Sequence, residues 1–520
     1  MRLDRQSVNE KKRNGEVLLA LLSLPALLAL SAYGYILNSD TTTTYYLAKD
    51  MAEGNFLLKD WVLTTTSFYF TDRIPMAVWG LLHLSPMNTL IVGGAAHVWL
   101  LGTGLYLLLR AEIRPAPFWA GFLSFAAASH LSVFVVPVHI GTFLLGIWGA
   151  LCFYGSGRGH FLVAALLLAL SLSSDMYAFV AVWLPLLVET VWFALKGGVV
   201  RVSLLSLAAA LLLGQALSKL QAHLGLVVPG LSGGFAVHHP LDYVSPFLDS
   251  LLGATGLFPY SLGPGDNLAR LGASLLALCS LFGVLWGLRE MWQPEKRRLR
   301  FLVLIPLLVL PAVLVLGLPV NYYTGRYLLV PYAVSVLLFF LWISRNIPAL
   351  AGKRAVLVTV CLGLFLVGFS ACRGAIFQPV FDERQSLMTR VDAALQERHL
   401  PQWGYAEYWD ASGNEFFSQS GTRILPVLPR EDGLAPMLWF SKPADYHRPA
   451  SFVVLRHIRK QGDPRRLPTE DTLISFGADD AWTISSEEAE RIFGKPAERI
   501  ESDHYTVYIY DYDISKKLKG

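Results

Sequence analysis

Apolar runs of about twenty residues, the length a helix needs to cross the hydrocarbon core of a bilayer, recur along most of this chain. The first runs from Val17 to Leu37 and is preceded by Arg2, Arg5, Lys11, Lys12 and Arg13. No small-residue cleavage site follows it, so it reads as a retained first helix whose basic flank keeps the N-terminus in the cytoplasm. A shorter apolar stretch, Ile74 to Leu84, reads as interfacial. Further spans are expected at Asn88 to Leu109 and at 117–136, 140–155, 161–174, 176–195, 202–220, 267–288, 301–318, 327–343 and 355–371. The expected fold is therefore an all-α polytopic membrane bundle of about eleven helices. Composition agrees: 54% of the 520 residues are hydrophobic and only 16% charged, which is too little charge for an ordinary soluble enzyme.

Orientation follows from where the positive residues fall. Alternate loops hold Arg110 and Arg114, then Arg158, Lys196 and Arg201, then Arg289 and Lys296 to Arg300, then Arg345, Lys353 and Arg354. The intervening loops carry fewer: Lys49, Lys59, Arg73, Lys219 and Arg326. This places segment 38–73 outside, and an odd number of spans leaves everything after Cys372 outside too. The net charge of +4 gives no support to a nucleic-acid partner. Four cysteines, all within or beside apolar runs, indicate neither a disulfide framework nor a thiolate metal site.

Past Cys372 the chain changes character. A transmembrane part, 1–372, gives way to a soluble extracytoplasmic α/β part, 373–520. Asp382 to Arg398 has helical apolar spacing, and Ser485-Ser486-Glu487-Glu488 opens a second helix running to Phe493. Arg423 to Leu428, Ser451 to His457 and Tyr505 to Tyr510 read as strands, the last alternating Tyr505, Val507 and Ile509 against Thr506, Tyr508 and Tyr510. The Gly/Pro-rich stretch 225–265 reads as a long external loop.

Ionisable residues gather at one boundary of the expected bundle: Asp40 and Asp72 in the first loop, His139, Asp175, His238, His239, Asp242 and Arg326. Such a ring, open to water and bilayer alike, suits a substrate with a polar head and a lipid tail. Asp40 stands just before a short helical pattern, Tyr45 to Glu53, with Thr44 as N-cap and Gly54 as stop. A helix N-terminus favours the ionised carboxylate that a general base needs, although a plain capping role fits the same position. Asp72 suits a divalent cation, the acceptor, or a cap on a helix beginning near Arg73. Asp175 follows Ser173 and Ser174, a good helix start. Asp50, Glu53 and Asp60 read as solvated, with Lys49 placed to pair with Glu53. Arg326 enters a late span beside Tyr322, Tyr323 and Tyr327; its planar fork suits a phosphate diester, and the tyrosines suit a sugar or prenyl path or an interfacial belt. His139 and His239 lack a third ligand at a metal-binding spacing. No phosphate-cradling glycine loop, GxSxG elbow or paired-cysteine motif is present, so no cofactor is assigned beyond an optional divalent cation.

Several stretches carry a family resemblance: Asp40 to Asn55, with its acidic residue, Tyr and Ala on a helix and then Gly; Gly54-Asn55-Phe56 to Trp61 with Phe68-Tyr69-Phe70-Thr71-Asp72; and Gly404-Tyr405-Ala406-Glu407-Tyr408-Trp409-Asp410-Ala411 followed by Arg423 to Val427. Together with the layout of spans, these resemble the GT-C glycosyltransferases, particularly bacterial members akin to protein O-mannosyltransferases and aminoarabinose transferases. The resemblance implies an inner-membrane enzyme that takes a sugar from a polyprenyl-phosphate donor, undecaprenyl-linked in bacteria. It implies inverting transfer to an extracytoplasmic glycan, lipid or protein, with Asp40 as catalytic carboxylate and Arg326 as donor-phosphate contact. Many such relatives have an acidic pair in the first loop, whereas here four threonines follow Asp40. The rival readings are a transporter or flippase and a non-catalytic envelope assembly protein.

Overall fold

The computed structural model describes residues 2–33, 37, 39–64, 66–129, 133–134, 139–155, 157–229, 244–257, 266–316, 322–347, 353–374, 378–430, 433–457 and 484–518. Among these, five segments are long and apolar enough to cross a membrane: Pro86–Leu109, Arg201–His223, Arg270–Glu290, Arg297–Val315 and Gly325–Asn346. Shorter apolar helices cover Val17–Tyr33, Ile140–Phe153, Arg158–Ser174, Phe179–Leu195 and Val356–Ala371. Each coincides with an expected span. Within the stretch expected as 117–136, the helix Pro115–Ala128 is described; Ser129 caps it by donating its N–H to Phe125 O and turns its hydroxyl onto Ala254 O at 2.5 Å.

Helices that frame the site are α1 (Arg2–Tyr33), α2 (Ser39–Ala52), α3 (Ile74–Gly80), α4 (Pro86–Leu109), α5 (Pro115–Ala128), α6 (Ile140–Phe153) and α7 (Arg158–Ser174). Later come α8 (Leu184–Leu195), α9 (Arg201–His223), α10 (Val244–Thr255), α11 (Asp266–Glu290), α12 (Arg297–Val315), α13 (Leu329–Asn346) and α14 (Lys353–Gly374). The expected loop 225–265 thus contains a helix, α10. A 3-10 turn, Tyr322–Leu328, leads into α13 and packs on α10 so closely that a Cβ at Gly325 would stand 2.5 Å from Ser250 O. The bundle core is one continuous cluster of Leu, Val, Phe and Ala from α1, α4 to α9, α12 and α13. Its charges are matched internally: buried Glu189 on α8 receives Arg297 Nε at 2.9 Å and Arg300 Nη1 at 3.2 Å, as a buried carboxylate requires.

The C-terminal sheet domain has six strands: β1 (Trp403–Ala406), β2 (Arg423–Arg430), β3 (Gly433–Pro436), β4 (Phe452–Arg456), β5 (Glu498–Glu501) and β6 (Tyr505–Ile509), in the order β3-β2-β1-β4-β6-β5. β1 is parallel to β2 and β4, and the other pairings are antiparallel. α15 (Gln378–Glu397) and α16 (Tyr408–Glu415) cover one face, and α17 (Ser486–Phe493) covers the other. The alternation read in β6 holds: Tyr505, Val507 and Ile509 join the cluster under α15, while Tyr508 and Tyr510 join the cluster under α17. Ser485 caps α17 by accepting the N–H of Glu488 at 3.0 Å.

Candidate active site

α2 begins at Ser39, five residues before the expected cap. Thr44 is therefore mid-helix, its hydroxyl bonded back to Asp40 O at 3.0 Å, and Asp40 lies within the first turn. The four threonines that follow Asp40 are all buried. A helix this polar can be buried because its hydroxyls are used: Thr42 and Thr43 meet Ser412 Oγ of α16 at 3.2 and 2.9 Å, and the Ser39 hydroxyl donates to Tyr408 O.

Asp40 stands between two partners distant in sequence. Its Oδ1 accepts from the Tyr408 hydroxyl at 2.6 Å and its Oδ2 from Arg326 Nη1 at 3.4 Å. The Asp40 side chain is 13% exposed and that of Arg326 22%, so both reach solvent while sitting mostly inside. The Arg326 guanidinium lies 5.5 Å from the centre of the Tyr327 ring. Tyr327 in turn is 4.7 Å, ring to ring, from His139, which pairs through Nδ1 with Asp175 Oδ2.

Asp175 also accepts from Thr142 Oγ1 at 3.0 Å and from the Tyr177 N–H at 2.9 Å, so it both caps the turn after α7 and orients the histidine. Burial would raise this carboxyl, but the His139 charge and hydrogen bond hold it below the usual carboxylate range. His139 adopts φ 69°, a left-handed conformation that few non-glycine residues take, at the start of α6. Asp40, Arg326, Tyr327, His139 and Asp175 thus form one connected chain of contacts. The Tyr323 side chain and the whole of His239 lie outside the described residues.

Asp72 opens no helix. It sits inside a π-helical turn, Tyr69–Arg73, and is fully buried. That turn is pinned to the end of α7, where Ser174 O accepts from Phe68 N at 3.0 Å and Ser174 Oγ from Phe70 N at 3.0 Å. α6 approaches so closely that a Cβ on Gly141 would lie 2.2 Å from Thr71 O. Asp72 Oδ2 accepts from Thr71 Oγ1 at 2.6 Å and Oδ1 has no partner. Burial pushes its carboxyl above the usual range, against the opposing pull of His97, Thr71 and Arg73.

Two site residues went unrecognised in the sequence. Arg73 is fully buried, and only one of its guanidinium nitrogens is used: Nη1 donates to Thr44 Oγ1 at 2.7 Å, while Nε and Nη2 have no partner. Burial draws its pKa down to about 10, although nearby Asp72, Asp40 and Tyr408 favour the charged form. The other is Tyr408, contributed by the sheet domain. Asp50 is corrected as well: it accepts from Trp61 Nε1 at 2.7 Å and pairs with Lys442 at 3.1 Å, tying the first loop to the sheet domain. Lys49 and Glu53 form the expected exposed pair at 3.8 Å, and Asp60 is exposed.

Among the described residues no group of three His, Cys, Asp or Glu is placed to hold a metal ion. An apolar cavity of about 310 Å³ lies between α5, α11 and α14, lined by Ala127, Leu271, Leu276, Leu362, Phe365 and Phe369. It is at the site end of α5, next to the Ser129 hydrogen bond to α10.

The crystal structure of ArnT from Cupriavidus metallidurans in the apo state aligns over 97% of this chain and 98% of its own, with a TM-score of 0.57 and 10% identity. The fold is that of ArnT. The same protein bound to undecaprenyl phosphate matches over 95% of this chain and 97% of its own, with a TM-score of 0.53 and 10% identity. No protein-family model matches the sequence, and no curated relative does. The alignment extends over the sheet domain as well as the bundle, and in this chain α16 packs beside α2.

Proposed function

We propose that this protein is an inner-membrane glycosyltransferase that moves a sugar from a polyprenyl-phosphate donor, undecaprenyl-linked, to an extracytoplasmic glycan, lipid or protein. In this account residues 1–372 hold the bundle with its catalytic loop 38–73, and residues 373–520 form the sheet domain, on the outer side with the N-terminus inside. The observation that carries it is the pairing of the whole-chain ArnT fold with two arginines near one carboxylate, Arg326 at 3.4 Å from Asp40 and Arg73 close enough to interact with its charge. The neighbour's undecaprenyl phosphate supports a donor of that class, and the apolar cavity supports a lipid chain beside the site.

The chemistry follows from the parts. Asp40 takes the proton of the acceptor hydroxyl as that oxygen bonds to the anomeric carbon, and the bond from that carbon to the phosphate oxygen breaks with inversion. The departing polyprenyl phosphate carries the electron pair. Arg73, with the N–H groups of its two unpartnered nitrogens Nε and Nη2, and Arg326 stabilise the charge that develops there. Tyr327, His139 and Asp175 line the donor side, and Asp72, whose carboxyl burial pushes upward, stands next to Arg73. The test is to incubate purified protein in liposomes with undecaprenyl-phosphate sugars and an extract of envelope glycans, lipids and proteins as acceptor, and to measure release of undecaprenyl phosphate. Release is expected for one sugar above the others, with loss on Asp40→Asn; no release from any sugar overturns the proposal.

A further inference from the structure

The first loop and the sheet domain meet through two short helices, α2 and α16, and the contact is unusually polar. Both residues of the dipeptide Ser39-Asp40 bond to one residue of α16: the Ser39 hydroxyl to Tyr408 O, and Asp40 Oδ1 to the Tyr408 hydroxyl at 2.6 Å. One turn further along each helix, Thr42 and Thr43 meet Ser412. The helices lie close enough at Gly413 that a Cβ there would stand 3.1 Å from Arg384 Nη1 and 3.4 Å from Leu37 O. Arg384 itself donates to Leu37 O at 2.5 Å, just before α2 begins. Behind Tyr408, Asp410 is gripped by Arg384 Nη2 at 3.0 Å, Arg456 Nη2 at 2.7 Å and the Tyr505 hydroxyl at 2.9 Å. The start of α16 is therefore fixed on both sides, to the loop in front and to the sheet behind.

Packing alone does not account for Tyr408. It is 1% exposed and its ring packs edge-on against Trp409 at 4.9 Å and Trp439 at 6.0 Å, contacts a phenylalanine would make equally well. The hydroxyl is what distinguishes it, and the hydroxyl is spent on a site carboxylate. An aspartate side chain turns about two bonds, and the Tyr408 bond to Oδ1 at 2.6 Å is much shorter than the Arg326 contact to Oδ2 at 3.4 Å. A short bond from a rigid donor to Oδ1 removes that freedom and leaves Oδ2 directed away from Tyr408, towards Arg326. We infer that Tyr408 is a positioning residue of the transfer reaction, through which the sheet domain holds Asp40 in its reacting orientation. This rests on the assignment of Asp40 as the base. It makes the sheet domain part of the catalytic machinery instead of an appended binding module.

The test uses the full-length protein in liposomes, with release of undecaprenyl phosphate from the undecaprenyl-phosphate sugar that wild-type protein consumes as the readout. Tyr408→Phe is expected to lower kcat about 10- to 100-fold, the scale of one hydrogen bond to a charged group, and to leave the donor KM within about twofold. Two isosteric replacements at the same position separate positioning from folding. 4-Fluorophenylalanine keeps the ring and sets a fluorine of near-hydroxyl size in place of the donor, and should be as slow as Tyr408→Phe. 3-Fluorotyrosine keeps the donor and should restore turnover. Equal activity of the two replacements, or a Tyr408→Phe variant with wild-type kcat, overturns the inference. Asp40→Asn is run in parallel: if it retains wild-type turnover the base assignment itself falls, whereas a silent Asp40→Asn beside a fully active Tyr408→Phe removes the Tyr408 role alone.

Discussion

Arg73 offers an unusual prediction, because its role in ligand binding and its role in folding should have opposite signs. Its guanidinium is fully buried with Nε and Nη2 unpartnered, one bond to Thr44, and the face of Phe440 5.0 Å away. Holding a charge in that state costs free energy, and an apolar side chain of similar length removes the cost. Arg73→Met is therefore expected to melt, without ligand, at the same temperature as wild type or higher, leaving Thr44 with its bond to Asp40 O. If the two unpartnered nitrogens each donate to a phosphate, their loss removes two charge-assisted bonds of about 1.5–3 kcal/mol each. Donor kcat/KM should then fall on the order of 10²- to 10⁴-fold. Binding gives an independent readout: at undecaprenyl phosphate a hundred times above the wild-type Kd, the lipid should stabilise wild type by about 2.7 kcal/mol. A variant binding a hundredfold more weakly should gain only about 0.4 kcal/mol at that concentration. Thermal melts followed by tryptophan fluorescence, with and without lipid, measure both. A variant that melts several degrees lower on its own and keeps the full lipid shift would show that Arg73 is structural.

Three further outcomes are expected. Gly141→Ala should overpack the seam where α6 meets Thr71 and Asp72, costing about 1–3 kcal/mol and lowering turnover; unchanged melting and turnover would mean the turn can move aside. Burial alone would raise the Asp410 carboxyl, but Arg456 and Arg384 hold it far below the ordinary range, so its stabilising contribution is present above the unfolded value near about 3.9 and is lost as pH falls through the folded one. The sheet domain should keep its melting temperature from neutral pH down to about 5 and lose it only in strong acid. Asp410→Asn should cost about 3–5 kcal/mol at neutral pH by leaving two buried arginines less paired. Circular dichroism melts across that range check both statements.

The bundle's helices were legible because apolar runs mark them, although among the described residues only five are long and apolar enough to cross a membrane and five more are shorter. β6 was legible because its side chains alternate between two different cores. β1, β3 and β5 were not: each is four residues long, too short for alternation to show. The helix α2 was misplaced at its start because four threonines are poor helix formers, and only tertiary hydroxyl partners on α16 make burying them acceptable. Asp40 and Arg326 were visible as scarce charges at a bundle end. Arg73 was counted only as a loop charge, since a sequence cannot show that a guanidinium is buried and half-satisfied. Tyr408 sits 368 residues from the carboxylate it holds, and nothing local in Glu407-Tyr408-Trp409 announces that contact. Asp72 stood open between a cation ligand, an acceptor contact and a cap on a helix near Arg73; the π-helical turn and its burial come from Ser174 and Gly141, which arrive from other helices.

The central claim is that one carboxylate at this end of the bundle takes a proton during sugar transfer. The most direct measurement compares wild-type protein and Asp40→Asn, both folded and inserted, for transfer of radiolabelled sugar from the undecaprenyl-phosphate donor that wild-type protein consumes. Loss of about 10²- to 10⁴-fold in rate, with lipid binding retained, is the expected result. Transfer by Asp40→Asn at the wild-type rate would contradict it.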